Sequence, residues 1–344
     1  MSTMENHGVS DHPKWFHVQS VPQTHTFSGE HRPGNDPIPA CKTIPIIDLG
    51  KSKTSERIDT VHQIMKAGQE FGFFQVMNHG VAKDVMSGAM EVLKELLDMP
   101  ADEICKEANT DGWVYMGSTT HDINGVHLWR DNIKHQCHPL EFCMQFWPQN
   151  PSRYREVVAS YVVDIRALSL RILELISEGL GLEKGYLEEM SQVQFLTASN
   201  YPPCPNPGLT LGLLKHVDHS LITILFQGDS QGLQVLKDGR WVGVEPVPHA
   251  FVVNIGSQIE IISNGKLKSA EHRVVTNPKK ARTTIATFIN PLPHCIIEPA
   301  KCLANESNPP LYDSMSFQEF VDASRAFGPH TDALQNGVLQ VLKN

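Results

Sequence analysis

The triplet His216-Val217-Asp218 sets an imidazole and a carboxylate two residues apart, and a solitary His272 follows a run of short apolar segments. Residues two apart on a β-strand share a face, so His216 and Asp218 can stand side by side. A second histidine on a neighbouring strand, His272, would complete two imidazoles and one carboxylate, a donor set that binds Fe(II) and leaves coordination positions open. Mixed nitrogen and oxygen donors suit iron better than magnesium, which prefers an all-oxygen shell. Beyond His272 come Arg282 and Thr284. On an adjoining strand, a guanidinium fork beside a hydroxyl would receive a carboxylate. The expectation is a metal site next to an anion site on adjoining strands.

With 17 histidines in the chain, an H-x-D triplet alone carries little information. Three features raise it: the apolar strand after it, the position of His272 in Ser269-Ala270-Glu271-His272-Arg273-Val274-Val275, and the arginine that follows. His219 is oddly spaced from His216 and is expected to be structural. His138, His249 and His294 read as loop histidines.

The elements that must position these groups follow two grammars. Up to about residue 185 the pattern is mainly helical: apolar positions recur at helical spacing over residues 58–72, 81–97 and 154–175. The last of these is the longest, with Tyr154, Val158, Tyr161, Ile165, Leu168, Ile172 and Leu175 on one face. Short strands are expected at 44–49 and 73–77. Residues 109–150 show no dominant period and read as a functional loop or lid. After Tyr186 come short apolar runs separated by turns, at 194–200, 221–226, 232–236, 241–244, 251–255, 272–276 and 284–289. A helix over 317–327 closes the chain. The fold class expected is mostly β with flanking helices (α+β), around a jelly-roll core. The segments are an irregular arm (1–40), a helical region with edge strands (41–185), the catalytic core (186–300) and a C-terminal helix and tail (301–344), forming one catalytic unit.

Composition narrows the partners. The 344 residues are 40% hydrophobic and 19% charged, ordinary for a globular protein. A net charge of -9 counts against a nucleic-acid binder, which needs clustered cations. No stretch is long and apolar enough to span a bilayer. The seven cysteines (Cys41, Cys105, Cys137, Cys143, Cys204, Cys295, Cys302) include no C-x-x-C pair, so a reducing compartment, the cytoplasm, is expected. A small-molecule substrate and a monomeric state complete that expectation. No H-E-x-x-H pattern supports a zinc hydrolase.

Several motifs in one order resemble the plant 2-oxoglutarate- and Fe(II)-dependent dioxygenases. They are Phe73 to Gly80, Asn200-Tyr201-Pro202-Pro203-Cys204-Pro205, His216-x-Asp218, Ala250 to Gly256, Ser263 to Val275 and Arg282-x-Thr284. Cys137-His138-Pro139-Leu140, Tyr154 to Val158 and Glu178 to Leu182 are similar to hyoscyamine 6-hydroxylase-like members. The resemblance implies a double-stranded β-helix core, with His216, Asp218 and His272 as iron ligands. It implies 2-oxoglutarate held by Arg282 and Thr284 near Tyr201, and O2 as oxidant with ascorbate as activator. Decarboxylation to succinate would accompany hydroxylation, desaturation or ring closure of a small specialised metabolite. Tyr115, Thr197 and Phe288 are the candidate substrate contacts. Thr284 stands where the family usually has serine, Ser199 where many members carry asparagine, and Ser257 where aspartate is common. Tyr115 to Thr120 contains no carboxylate, where hyoscyamine enzymes carry acidic residues, so a flavonoid or phenylpropanoid stands beside an alkaloid as substrate. A nucleic-acid demethylase and a non-catalytic jelly-roll metal-binding protein are the remaining alternatives.

Overall fold

The computed structural model describes residues 18–34, 44–108, 112–117 and 125–327. Cys41 and residues 118–120 of the Tyr115-to-Thr120 stretch lie outside that range, as does the tail beyond residue 327.

In chain order the structure runs β1 (Ile46–Asp48), α1 (Arg57–Glu70), β2 (Phe73–Met77), α2 (Lys83–Leu97), α3 (Ala101–Glu107), β3 (Trp113–Met116), β4 (Asp131–Gln136), α4 (Leu140–Met144), α5 (Tyr154–Leu180) and α6 (Tyr186–Met190). The strand-rich half follows, with β5 (Val193–Tyr201), β6 (Leu213–His216), β7 (Ile222–Phe226), β8 (Leu233–Lys237), β9 (Arg240–Gly243), β10 (Phe251–Ile255), α7 (Ser257–Ile262), β11 (His272–Val274) and β12 (Arg282–Asn290). A small pair, β13 (Ile296–Ile297) with β14 (Met315–Ser316), precedes α8 (Phe317–Phe327).

Two sheets carry the site. The larger has eight strands in the order β1-β2-β10-β7-β12-β5-β4-β3, and the smaller has four, β6-β11-β8-β9. They face one another: Phe73 of the larger sheet sets its ring edge-on to His272 of the smaller, with centroids 5.2 Å apart. This is a jelly-roll core, and it is mostly sheet with flanking helices. The larger sheet takes four strands from residues 41–185 and four from 186–300.

Period-2 alternation gives this sheet two different faces. Ile133, Leu196, Ile224, Val253 and Ile285 point outward into the main apolar cluster, which includes the buried stripe of α5. All seven α5 positions expected on one face are buried. Gly181 ends that helix with φ 70°, its N–H donating back to Ser177 and Glu178 carbonyls, the left-handed cap that glycine adopts without a Cβ penalty. The inner face holds Phe73, Gln75, Asn132, Ser199, Thr223, Asn254, Arg282 and Thr284, as the strand registers require.

Three expectations are corrected. Residues 109–150 were read as irregular, yet they supply β3 and β4. Asp131-Asn132-Ile133-Lys134-His135-Gln136 has no polar/apolar alternation because Asp131 and His135, on the outward face with Ile133, are polar as well as the inward residues. The strands of His272 and Arg282 were expected to adjoin. Instead β11 lies in the smaller sheet and β12 in the larger, because the Val275-to-Ala281 connection carries the chain across the sandwich. Finally, part of the expected N-terminal arm is docked: the Phe27 N–H donates to the Leu209 carbonyl at 3.0 Å, and its buried ring joins Leu128 and Leu211.

Candidate metal and anion site

His216 ends β6 and His272 begins β11, directly opposite each other in the antiparallel pair, with ring centroids 4.1 Å apart. Asp218 lies two residues past the end of β6, in a loop rather than in the strand. The i, i+2 argument therefore does not orient it; its neighbours do. The Ser257 N–H and Oγ donate to the Asp218 carbonyl at 2.8 and 3.1 Å, and Asn254 Nδ2 donates to Oδ2 at 2.9 Å. Gly256 makes this approach possible, since a Cβ there would stand 1.9 Å from the Ser220 carbonyl oxygen.

The three side chains converge. Asp218 Oδ1 is 3.7 Å from His216 Nε2 and 3.6 Å from His272 Nε2, and one donor atom from each lies within 4.8 Å of the others. These separations are too long for hydrogen bonds. Each Nδ1 faces a backbone carbonyl two residues earlier, Leu214 at 2.9 Å and Ala270 at 3.2 Å. A carbonyl only accepts, so Nδ1 carries the hydrogen and Nε2 turns its lone pair toward the carboxylate. Burial, with His272 beside it, holds the His216 imidazole below its usual range and so neutral. Burial opposes ionisation of Asp218, yet its carboxyl is held low, with hydrogen bonds from Thr223 and Asn254 favouring the carboxylate. Two lone pairs and an anion aimed at one point make a donor set for a divalent cation.

Across the sandwich, Arg282 pairs with Tyr201 in the β12–β5 ladder, and its guanidinium stands 5.3 Å from that ring. Arg282 is buried; Nε donates to the Ser230 carbonyl at 3.2 Å, while Nη2 has no partner. Burial lowers its pKa and Tyr201 partly restores it. A buried cation with an orphaned N–H group calls for an anionic ligand. Thr284 follows two residues on, on the same face and buried.

Of the expected substrate contacts, Thr197 and Phe288 lie half-buried on the inner face, Phe288 paired with Phe195 and Thr223. Tyr115 does not join them. It pairs with Ile133 on the outer face and is buried in the main apolar cluster, so that face belongs to the core. Its strand neighbours Val114 and Met116 take the inner face. A one-residue offset in strand register reverses every side chain, and the register of so short a strand is invisible in its sequence.

Several residues escaped the sequence reading. Asn254 and Ser257 orient Asp218. Gln227, just past β7, is buried with both amide atoms unpartnered. Asn132 is buried on the inner face with Oδ1 unpartnered. The advance signals were Asn254 lying in an otherwise apolar strand and Ser257 standing where aspartate is common.

Comparison with known proteins now applies to a defined geometry. Residues 188–291 match the 2OG-Fe(II) oxygenase superfamily, and residues 44–150 match the N-terminal region described as non-haem dioxygenase in morphine synthesis. Hyoscyamine 6-dioxygenase from Hyoscyamus niger is 44% identical over 301 residues, covering 83% of this chain and 86% of that protein. The chain belongs to the 2OG-Fe(II) oxygenase superfamily. Flavanone 3-dioxygenase 2 from Oryza sativa subsp. japonica is 36% identical, covering 88% of this chain and 89% of that one. The crystal structure of JOX2 in complex with 2OG, Fe and JA superposes with a TM-score of 0.78 at 35% identity, covering 89% of each chain. This 2OG-Fe(II) oxygenase is thus an iron- and 2-oxoglutarate-dependent dioxygenase acting on a small molecule. The residues present fit that requirement: the His-Asp-His donors suit Fe(II), and the orphaned Arg282 Nη2 suits the carboxylate of 2-oxoglutarate. Among the described residues no helix is long and apolar enough to cross a membrane.

Proposed function

We propose that His216, Asp218 and His272 hold Fe(II), and that Arg282 and Thr284, with Tyr201 beside them, hold the distal carboxylate of 2-oxoglutarate. When bound, these groups supply the oxidising chemistry: O2 is consumed, 2-oxoglutarate becomes succinate and CO2, and a small plant specialised metabolite is hydroxylated, desaturated or cyclised. The protein's own side chains do the positioning. The Leu214 and Ala270 carbonyls fix the tautomer of each histidine, Asn254 aims the Asp218 carboxylate while Ser257 anchors the Asp218 main chain, and the Phe73 ring edge limits rotation of His272. Arg282 neutralises the anion inside a water-poor interior, where its charge counts for more than at the surface. Thr197 and Phe288 contact the organic substrate, an aromatic or otherwise unsaturated body lying on the Phe288 and Phe195 rings; this favours a flavonoid- or phenylpropanoid-like compound over a cationic alkaloid. The unpaired cysteines among the described residues support a reducing, cytoplasmic setting.

The observation that carries the reading is the convergence of two Nε2 lone pairs and one carboxylate within 4.8 Å. Anaerobic addition of Fe(II) and 2-oxoglutarate should give the weak visible charge-transfer band of the chelate. His216→Ala should lose that band and all succinate formation while keeping its far-UV circular dichroism. A folded, iron-loaded wild-type protein with no band overturns the proposal.

A further inference from the structure

The inner face of the larger sheet continues past the proposed 2-oxoglutarate site onto β5 and β4, where it changes character. Lys134 pairs with Thr197, which pairs with Ala286, so all three share the inner face. The Lys134 ammonium lies 4.7 Å from the centroid of the Phe195 ring. Phe195 pairs with Phe288, and Phe288 with Thr223, which hydrogen-bonds Asp218. Phe195 and Phe288 are half-buried and belong to none of the apolar clusters, so their rings are available to a ligand. An aromatic floor therefore runs from Asp218 to Lys134. It crosses the β7, β12, β5 and β4 strands, three steps of about 4.8 Å.

Lys134 is solvent-exposed and, among the described residues, has no counterion. Among the described residues its one partner is the Phe195 ring. Desolvation by the surrounding protein, and then Arg325, lower its pKa; no carboxylate offsets them. Arg325, on α8, stands 3.7 Å from Asp322 and is largely exposed, so Lys134, like Arg282, is a cation of the inner face with no carboxylate partner among the described residues. Beside it on the same strand face, Asn132 is buried with its Oδ1 unpartnered. An exposed ammonium held over a ring face, with no anion of its own, is open to an anionic ligand that lies on that ring.

We infer that Lys134 is the specificity-determining residue for the organic substrate and that the substrate is a monocarboxylic acid, its carboxylate on Lys134 and its apolar body lying along Phe195 and Phe288 toward Asp218. This deepens the proposed dioxygenase reading and rests on it. The oxidised carbon then lies several bonds from the carboxylate, at the far end of the aromatic floor.

The test uses the full chain loaded with Fe(II) and 2-oxoglutarate without O2, and titrates a panel of aromatic and alicyclic monocarboxylic acids, each beside its methyl ester. Wild-type protein should bind at least one acid about 10- to 100-fold more tightly than its ester, the range expected for a hydrogen bond to a charged group. Lys134→Met should collapse that ratio toward one by weakening the acid alone, Lys134→Arg should retain it, and the exposed Lys106→Met should leave it unchanged. With O2 admitted, the acid should show its loss in KM more than in kcat. Acids and esters bound equally by wild type, esters preferred, no acid bound, or an unchanged ratio in Lys134→Met each overturn the inference. Failure of the underlying reading looks different, because wild-type protein would then bind no 2-oxoglutarate at all.

Discussion

The two faces of the eight-stranded sheet are built from alternate residues of the same strands and do opposite things. On β12, Arg282, Thr284 and Phe288 look inward, while Ile285, Thr287 and Ile289 look outward. The outward face is mainly an apolar contact with the helices, including buried Phe251, Ile224 and Leu196. The inward face keeps buried polar atoms without partners: Arg282 Nη2, Asn254 Oδ1 and Asn132 Oδ1. Unpartnered buried polar groups each weaken a fold by about 1–3 kcal/mol. The outward face offsets that deficit, so stability and chemistry are separated by one residue of strand spacing rather than by distance along the chain.

That division can be broken most forcefully from the outward side. Phe251→Ala should cost about 3–5 kcal/mol in a denaturant titration, the usual range for a buried phenylalanine. The KM for 2-oxoglutarate should stay unchanged in the residual folded protein. A shifted KM with unaltered stability would mean that the faces are not independent.

A somewhat smaller effect comes from acid. His135, outward on β4, has Nε2 2.7 Å from the Tyr154 hydroxyl, and burial pushes its imidazole down to about 4. Its folded pKa is lower than its unfolded one, near 6.5, so the unfolded chain binds the proton more readily between these values. Stability from this residue is therefore complete above about pH 6.5 and falls as pH drops toward 4, by about 3 kcal/mol in all. Thermal denaturation of wild type and His135→Gln across that window reads it. Parallel curves for the two proteins would remove the assignment.

The smallest effect should come from the inward face. Arg282→Ala should leave stability nearly unchanged and raise the KM for 2-oxoglutarate by about 30-fold, corresponding to about 2 kcal/mol for a charged hydrogen bond. Steady-state succinate formation at varied 2-oxoglutarate checks this. Unfolding in place of a KM effect would assign Arg282 to the core.

Much of this was legible in the chain because it is local. The α5 stripe, the Phe317–Phe327 helix and the Gly181 terminus follow from spacing and glycine alone, and most strands after Tyr186 fell where short apolar runs predicted them. Strand β4 was not legible, because Asp131 and His135 are polar on its outward face too, which removes the alternation that marks a half-buried strand. Tyr115 was misplaced for a related reason: its residue type suits a pocket, but pairing with Ile133 turns it outward.

By itself the sequence determined the chemistry available: two imidazoles, one carboxylate and a later arginine beside a hydroxyl, in motif contexts that carry them. Only the tertiary structure decided that β11 and β12 meet across the sandwich instead of side by side, that Asp218 is aimed from β10 and α7, and that Lys134 shares a face with Phe288. The physical reason is that which face a strand residue takes is set by hydrogen bonds to a partner strand distant in the chain. That register leaves almost no trace in the strand's own residues.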